Sequence, residues 1–253
     1  MTYSTGRMST AGGHTLAYDQ MRGTAPGIVF LHGLNSDRRG NKVNALAAFC
    51  QTRGYGLLKY DMFGHGESSG NFQDGGPSRW RDDAVAVLDQ LTDGPQILVG
   101  SSMGGWIMML TALARPQRIA GLIGIAAAPD FTNEMIDKTL TSTQREQLKR
   151  DGIVDLVSPY DDKPMHIGQH LIADGNRNLI LEGPISVSCP VRLLHGQQDE
   201  SVPWQRPMML AERISGSNVE VTLIKDGDHR LSRDQDLALL THTLDRMIEQ
   251  IRT

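Results

Sequence analysis

Short apolar runs alternate with amphipathic segments along most of the chain. Runs of this kind, bounded by glycine, proline or polar residues, are typical of buried strands in a parallel sheet. The runs are Gly27–Leu31, Gly56–Tyr60, Gln96–Val99, Ile119–Ala128, Val191–Leu194 and Val219–Ile224. Between them apolar residues recur at helical spacing, as in Trp80, Ala84 and Leu88. The pattern predicts an α/β fold with a mostly parallel central sheet, helices on both of its faces and an N-terminal hairpin that turns at Gly12-Gly13.

One segment, residues 130–188, breaks this alternation because it contains helix signals but no convincing strand. Thr143 and Glu146 have the spacing of a capping box at a helix N-terminus, and residues 165–173 form a second candidate helix. We expect a single domain over residues 1–253, in which 130–188 is a small helical cap placed as a lid over a substrate pocket. The alternative is that this insertion only adds helical packing.

Composition narrows the function classes. The chain has 253 residues, of which 25 are basic and 29 acidic, and the formal charge of −4 does not indicate nucleic-acid binding. No apolar stretch is long enough for a membrane span, and residues 1–6 contain no apolar signal region. Two cysteines, Cys50 and Cys189, do not make a disulfide scaffold, so we expect buried free thiols and a cytoplasmic protein.

A candidate nucleophile lies in residues 100–104, which read Gly-Ser-Ser-Met-Gly between an apolar strand and a helical segment. Such a tight turn forces its central residue into strained backbone geometry, and the flanking glycines relieve the crowding. The pattern therefore predicts Ser102 as a nucleophile exposed above the sheet. Residues 66–70, Gly-Glu-Ser-Ser-Gly, have the same spacing but follow a glycine-rich loop, so we interpret them as a turn.

A serine hydroxyl needs a base, oriented by an acid, to act as a nucleophile near neutral pH. In folds of this kind the partners follow in the order serine, acid, histidine. Asp199 comes after the fifth apolar run and is the predicted acid, in preference to its neighbour Glu200. His229 comes after the last apolar run and is the predicted base, whereas the competing His242 falls within the final helical segment.

The oxyanion that develops on an attacked carbonyl needs preorganised donors, usually two backbone N–H groups. One is expected from Met103, the residue after the nucleophile. The other is expected from Leu34, in the loop after the first apolar run, where the backbone donates and the side chain is incidental.

Two further clusters have simpler interpretations. His166 and His170 are four residues apart, but no third ligand has matching spacing, so no metal site is predicted. Arg38 and Arg39 are expected to be a solvated pair, with attraction of an acidic substrate as the alternative.

Together the motifs resemble the α/β-hydrolase superfamily across essentially the whole chain. They are His32-Gly33, Asp61-x-x-Gly64-His65-Gly66-x-Ser68, Gly100-x-Ser102-x-Gly104 and the loops that carry Asp199 and His229. A narrower similarity, to the mitochondrial palmitoyl-protein thioesterase and acyl-glucuronide hydrolase branch, lies in residues 100–106, 114–116, 189–196, 202–204 and 228–230. That resemblance implies acyl esters or acyl thioesters as substrates. The chain departs from the branch at His32-Gly33 and in showing no transit-peptide-like leader.

We therefore expect a serine hydrolase that cleaves carboxylic esters or thioesters of acyl groups through an acyl-enzyme, without a cofactor. The partner would be a small-molecule acyl ester or thioester, or an acylated protein. Carbon–carbon bond hydrolysis or acyl transfer on the same residues is the enzymatic alternative, and a ligand-binding protein without turnover is the other. A dehalogenase or epoxide hydrolase would need an aspartate at position 102, where this chain has serine.

Overall fold

A computed structural model of the protein describes residues 3–135, 139–156 and 165–252. The strands are β1 (Tyr3–Ser9), β2 (Thr15–Met21), β3 (Thr24–Leu31), β4 (Tyr55–Tyr60), β5 (Gln96–Ser101), β6 (Ile119–Ile125), β7 (Ile153–Leu156), β8 (Met165–Gly168), β9 (Val191–Gly196) and β10 (Val219–Ile224). The helices are α1 (Asn41–Arg53), α2 (Pro77–Leu91), α3 (Met103–Ala114), α4 (Phe131–Glu134), α5 (Ser142–Asp151), α6 (Gln169–Asn176), α7 (Arg206–Arg213) and α8 (Asp234–Arg252). Short 3₁₀ helices cover Phe72–Asp74 and Pro116–Arg118.

The main sheet of the described chain has eight strands in the order β1-β2-β4-β3-β5-β6-β9-β10. Six strands of this sheet run parallel, and they are the six predicted from the apolar runs: β4, β3, β5, β6, β9 and β10. The first two strands pair antiparallel as the predicted hairpin, and β2 joins β4 in the antiparallel sense. The expectation of a mostly parallel sheet is confirmed.

Helices cover both faces of this sheet. Successive residues of β3 alternate between two hydrophobic clusters, as expected for a strand that is buried on both sides. One cluster contains Trp80 of α2 and Trp106 of α3, both with no exposed side-chain surface. The other contains Leu46 of α1 and Leu244 of α8. The apolar positions predicted at helical spacing therefore face the sheet, and they fix the strand ends on which the site is built.

The inserted segment 130–188 differs from its predicted form. Strands β7 and β8 pair antiparallel where no strand was expected. The predicted helix over 165–173 is wrong in its first half, because 165–168 form β8 and α6 begins only at Gln169. These strands have only four residues each, too few for period-two alternation to stand out from helical spacing.

The capping box of this segment also lies two residues earlier than predicted. Thr141, not Thr143, caps α5: its side chain accepts the backbone N–H of Gln144, and the Gln144 side chain accepts the backbone N–H of Thr141. Both positions fit the sequence pattern, and the helix begins where both hydrogen bonds form. Gly152 ends the helix in the left-handed conformation, which glycine adopts without steric cost. Residues 136–138 and 157–164 of the predicted cap lie outside the described residues.

Within the described residues, no helix is long and apolar enough to cross a membrane. The two cysteines are free, as expected. Cys50 is buried in α1, and this burial raises the pKa of its thiol to about 12, whereas Cys189 is only half-buried.

Candidate active site

Four loops meet at the carboxyl ends of parallel strands of the main sheet. They follow β3, β5, β9 and β10, and they carry Leu34, Ser102, Asp199 and His229 respectively. Parallel strands place their carboxyl ends at the same sheet edge, which is where open α/β sheets bind ligands. The topology thus brings together residues that are up to 195 positions apart in the chain, from 34 to 229.

Ser102 occupies a strained turn between β5 and α3. Its backbone has φ 54° and ψ −120°, values that a residue with a side chain rarely adopts. The surrounding strands hold this conformation: the Ser102 N–H donates to the carbonyl of Ile125 at 2.9 Å, and the Ser102 carbonyl accepts the N–H of Ala128 at 3.1 Å. The strain presents the hydroxyl above the sheet edge, at the N-terminus of a helix.

Close backbone packing requires glycine on both sides of this serine. A Cβ at Gly104 would lie 2.2 Å from the carbonyl oxygen of Leu31, and a Cβ at Gly100 would lie 2.4 Å from the carbonyl oxygen of Gly104. Neither contact can be relieved by moving a flexible side chain, since both partners are backbone atoms. The glycines therefore allow α3 to start directly against β3 and β5.

Three polar side chains form a continuous line at this edge. The Ser102 Oγ lies 3.1 Å from Nε2 of His229, and Nδ1 of His229 lies 2.7 Å from Oδ2 of Asp199. Both distances are within hydrogen-bonding range. The sequence-predicted alternatives are elsewhere: Glu200 is exposed beside Asp199, and His242 is exposed on α8.

The Asp199 side chain has no exposed surface, yet every oxygen of its carboxylate has donors. The backbone N–H groups of Ser201 and Val202 each donate to Oδ1 at 2.8 Å, and two imidazoles face Oδ2. Burial alone would raise the pKa of this carboxyl. The hydrogen bonds from His195 and His229 outweigh burial and hold the pKa well below its usual range. Asp199 is therefore an anion at any physiological pH.

The backbone amides of Leu34 and Met103 both belong to segments that adjoin Ser102. The loop after β3 lies alongside the serine, since a Cβ at Gly33 would be 3.4 Å from Cβ of Ser102. Among the described residues, neither the Leu34 N–H nor the Met103 N–H donates to another protein group. Both amides are thus available to an oxygen of a bound molecule. An open cavity of about 290 Å³ borders the same loop and is lined by Asn35, Ser36, Asp37, Gly64, His65 and Gly66.

A buried imidazole, His32, fixes the peptide that carries the Leu34 amide. Its Nε2 accepts the N–H of Met62 at 3.0 Å, so its Nδ1 carries the proton and donates to the Gly33 carbonyl at 2.8 Å. That carbonyl belongs to the same peptide group as the Leu34 N–H. Burial lowers the pKa of His32 to about 4, which keeps this neutral tautomer in place. Sequence reasoning used His32 only as part of a motif and missed this role.

The segment 61–68 contacts the loop that follows β3 and holds it in place. His65 accepts the N–H of Asn35 at 3.3 Å, and burial lowers its pKa to about 3. The Asp61 carboxylate accepts the N–H of Arg38 at 2.7 Å and also pairs with the Arg38 guanidinium. Arg38 is buried and contacts Asp19 and Glu67 as well, so the prediction of a solvated Arg38-Arg39 pair is wrong for Arg38. Its acidic partners come from β2 and from the loop after β4, which the local sequence does not reveal.

The two histidines considered as metal ligands do not share a helix face. His166 lies on β8, where its Nδ1 contacts Asp155 of β7 at 2.5 Å, and His170 lies on α6. Among the described residues, no group of three or more histidine, cysteine or acidic side chains is arranged to hold a metal ion.

Comparison with known proteins gives one family and several close relatives. Residues 24–150 match the family model described as serine aminopeptidase, S33. The palmitoyl-protein thioesterase ABHD10, mitochondrial, of Mus musculus is 41% identical over 239 residues, which cover 94% of this chain and 80% of that protein. The Homo sapiens protein of the same name is 37% identical and covers 94% and 78%. These names place the relatives in mitochondria, so the cytoplasmic location stays a prediction.

Solved structures give the same result for the fold. The mouse alpha/beta hydrolase domain-containing protein 10 superposes with a TM-score of 0.90 at 38% identity, covering 98% of this chain and 99% of that one. A candidate hydrolase from Agrobacterium vitis S4 superposes with a TM-score of 0.93 at 34% identity, covering 98% and 100%. Similarity therefore extends over the whole sheet and over all four loops of the site.

Proposed function

The chain is a hydrolase of the α/β-hydrolase superfamily and of its serine aminopeptidase S33 family, and from that premise we propose that it cleaves carboxylic esters or thioesters of acyl groups with Ser102 as nucleophile. His229 is the general base and acid, and Asp199 orients and stabilises it. The strongest support is the line of contacts at the sheet edge, 3.1 Å from Ser102 to His229 and 2.7 Å from His229 to Asp199.

Acylation begins when the Ser102 Oγ attacks the carbonyl carbon and its proton passes to Nε2 of His229. The carbonyl oxygen becomes an oxyanion, which accepts the N–H groups of Leu34 and Met103. Collapse of this intermediate breaks the bond to the leaving oxygen or sulfur, and His229 returns the proton to that atom. The alcohol or thiol leaves, and the acyl group remains on Ser102.

Deacylation repeats these steps with water. His229 removes a proton from the water, the resulting hydroxide attacks the acyl carbon, and the same two amides hold the second oxyanion. The carboxylic acid leaves as Ser102 recovers its proton from His229. Asp199, an anion throughout, stabilises the imidazolium that forms in each half-reaction. Only water and the acyl compound are consumed, so the chemistry needs no cofactor.

The substrate class is proposed from the relatives and from the fold. The mouse relative is named a palmitoyl-protein thioesterase, which favours an acyl thioester or ester, either as a small molecule or on an acylated protein. Carbon–carbon hydrolysis and acyl transfer use the same side chains and differ only in what the pocket admits.

We also propose that residues 1–253 form one domain in which 130–188 is a cap over the site. The described part of this segment is attached to the helix that begins after Ser102. Trp106 of α3 donates its Nε1–H to the carbonyl of Asn178 at 3.2 Å and packs edge-on against Phe131, with ring centroids 5.6 Å apart. These contacts, between the segment and α3, support the proposal of a cap.

Turnover of a matched substrate panel tests the function. The panel contains p-nitrophenyl esters from acetate to palmitate, acyl thioesters with the same chains and an acyl glucuronide, each measured with the wild-type protein and with Ser102→Ala. We expect steady turnover of one or more acyl chains, abolished in the variant. Absence of turnover across the panel would contradict an esterase or thioesterase, and activity that survives Ser102→Ala would contradict the site.

A further inference from the structure

A second histidine, His195, reaches the carboxylate of Asp199, and the proposed reaction does not use it. His195 is near the end of β9 and is 1% exposed. Its Nε2 lies 3.3 Å from Oδ2 of Asp199 and 3.0 Å from the carbonyl oxygen of Val202. Two imidazoles therefore share one carboxylate oxygen, since Nδ1 of His229 lies 2.7 Å from the same Oδ2.

The surroundings of His195 determine which nitrogen carries its proton. Both groups that face Nε2 are acceptors, so Nε2 must be the donor. Its Nδ1 is buried and has no hydrogen-bond partner among the described residues. A proton on Nδ1 would leave a buried N–H without an acceptor, which costs more than a bare lone pair in the same place. His195 is thus held so that it donates from Nε2.

These contacts close a ring around the acid. Val202 donates its N–H to Oδ1 of Asp199 and accepts the Nε2–H of His195 on its carbonyl. The backbone amides of Ser201 and Val202 hold Oδ1, and among the described residues the titratable groups that face the carboxylate are His195 and His229. The imidazole of His195 therefore contacts Oδ2 independently of His229.

We propose that His195 is a positioning residue: its Nε2–H holds Oδ2 of Asp199 and the turn at Val202 where Nδ1 of His229 can meet the carboxylate. The inference rests on the proposed function, because it assumes that the Asp199–His229 contact serves catalysis. Without the donor at position 195, the Val202 carbonyl loses its hydrogen bond, the turn that holds Oδ1 of Asp199 loosens, and the hydrogen bond between the carboxylate and His229 weakens.

Paired substitutions at position 195 separate this role from packing. His195→Leu removes the donor while keeping an apolar volume, and His195→Gln places an amide N–H near the Nε2 position. His195→Asn is equally polar, but its amide is too short to reach. We expect His195→Leu and His195→Asn to lower kcat roughly tenfold or more with KM within about twofold of wild type. His195→Gln should retain kcat within about threefold, as should His242→Leu, the same change on the exposed face of α8.

The downfield proton resonance of His229 Nδ1–H gives a readout that needs no substrate. In ¹⁵N-histidine-labelled protein, we expect this signal to persist in wild type and His195→Gln, and to broaden or disappear in His195→Leu and His195→Asn. If all three position-195 variants lose kcat equally while the signal persists, or if His195→Leu keeps wild-type kcat, the positioning role is wrong. Failure of His195→Leu to fold leaves the Asn and Gln variants as the test.

The proposed function can fail separately. If the wild-type protein turns over no panel substrate and a fluorophosphonate does not label Ser102, the catalytic assignment is wrong, whatever the resonance does. If Ser102 is labelled at a rate that His195→Leu does not change, and the His229 signal persists in that variant, the catalytic assignment stands and the positioning role falls.

Discussion

Two segments of this protein have the same Gly-x-Ser-x-Gly motif but different structures. In the segment 100–104, Ser102 joins a buried strand to a helix, and its hydroxyl faces His229. In the segment 66–70, Ser68 lies in a turn, where its hydroxyl donates to the carbonyl of Asp61 at 2.6 Å and accepts the N–H of Ala17 at 2.9 Å. The hydroxyl of Ser68 therefore hydrogen-bonds backbone groups, whereas that of Ser102 lies within hydrogen-bonding distance of an imidazole. The flanking elements, and not the motif itself, make a serine a candidate nucleophile.

The two segments are nevertheless connected. The turn around Ser68 belongs to the loop whose Met62 amide and His65 ring hold the residues around Leu34. One copy of the motif thus carries the proposed nucleophile, and the other stabilises the loop of the proposed oxyanion donor Leu34. Substitution of Ser102 should therefore affect mainly activity, whereas substitution of Ser68 should affect mainly stability.

The largest expected difference is in activity. Ser102→Ala should lower kcat/KM by about 10⁴-fold or more, because the variant lacks the hydroxyl that lies 3.1 Å from Nε2 of His229. Ser68→Ala should leave kcat/KM within about threefold of wild type. Steady-state kinetics on the best panel substrate measures both. Equal losses of kcat/KM in Ser102→Ala and Ser68→Ala would contradict the assignment of different roles to the two serines.

The next largest effect concerns the acid. Asp199→Asn should lower kcat by about 10³- to 10⁴-fold, since an amide cannot stabilise the imidazolium or fix the His229 tautomer as a carboxylate does. The matched control is Glu200→Gln, because Glu200 is the adjacent and exposed acid. A larger loss from Glu200→Gln than from Asp199→Asn would mean that the neighbouring position is the acid.

The hydrogen bond from the Met62 N–H to His32 connects the two segments, and its contribution to stability should depend on pH. Above pH 6.5 His32 is neutral in both the folded and the unfolded chain. As the pH falls, the unfolded chain takes up the proton first, because burial lowers the folded pKa of His32 from 6.5 to about 4. From pH 6.5 to pH 4 this residue alone should lower the free energy of unfolding by about 3 kcal/mol.

Urea unfolding of wild type and His32→Gln at a series of pH values measures that difference. The variant should lose less stability on acidification, and subtraction of the two curves isolates His32 from other titrating groups. His242→Gln, at an exposed position, should follow the wild-type slope. Parallel curves for wild type and His32→Gln would show that His32 titrates alike in both states.

The smallest expected effect is the stability difference between the serine variants. Ser68→Ala should lower the free energy of unfolding by about 1–2 kcal/mol, because the Ala17 N–H loses its acceptor. Ser102→Ala should change stability less, since the surroundings of the Ser102 side chain are partly open. If Ser102→Ala is the more destabilising, Ser102 has a structural role that this account does not include.

The sequence predicted those parts of the molecule that depend on local pattern. Continuous apolar runs identified the six parallel strands, because strands buried on both faces have no polar alternation. The order of motifs along the chain selected Ser102, Asp199 and His229, which the fold brings within hydrogen-bonding distance. Their catalytic roles remain the prediction that the experiments test.

Features that depend on long-range partners were beyond the sequence. Arg38 is buried because Asp19, Asp61 and Glu67 surround it, and none of these is its neighbour in the chain. The β7–β8 strand pair was missed because its strands are short. In the sequence, His195 looks like an ordinary residue at the end of a strand. Only its distance to Asp199 suggests a role.

The most direct measurement is the identity of the acylated residue during turnover. A p-nitrophenyl ester of the preferred chain length acylates rapidly, so deacylation should limit the rate and the acyl-enzyme should accumulate. Acid quench followed by peptide mass spectrometry should find the acyl group on the peptide that contains Ser102, after a burst of about one equivalent of p-nitrophenol. Turnover with the acyl group on another residue, such as Ser68, or with no burst and no acyl-peptide, would contradict the account.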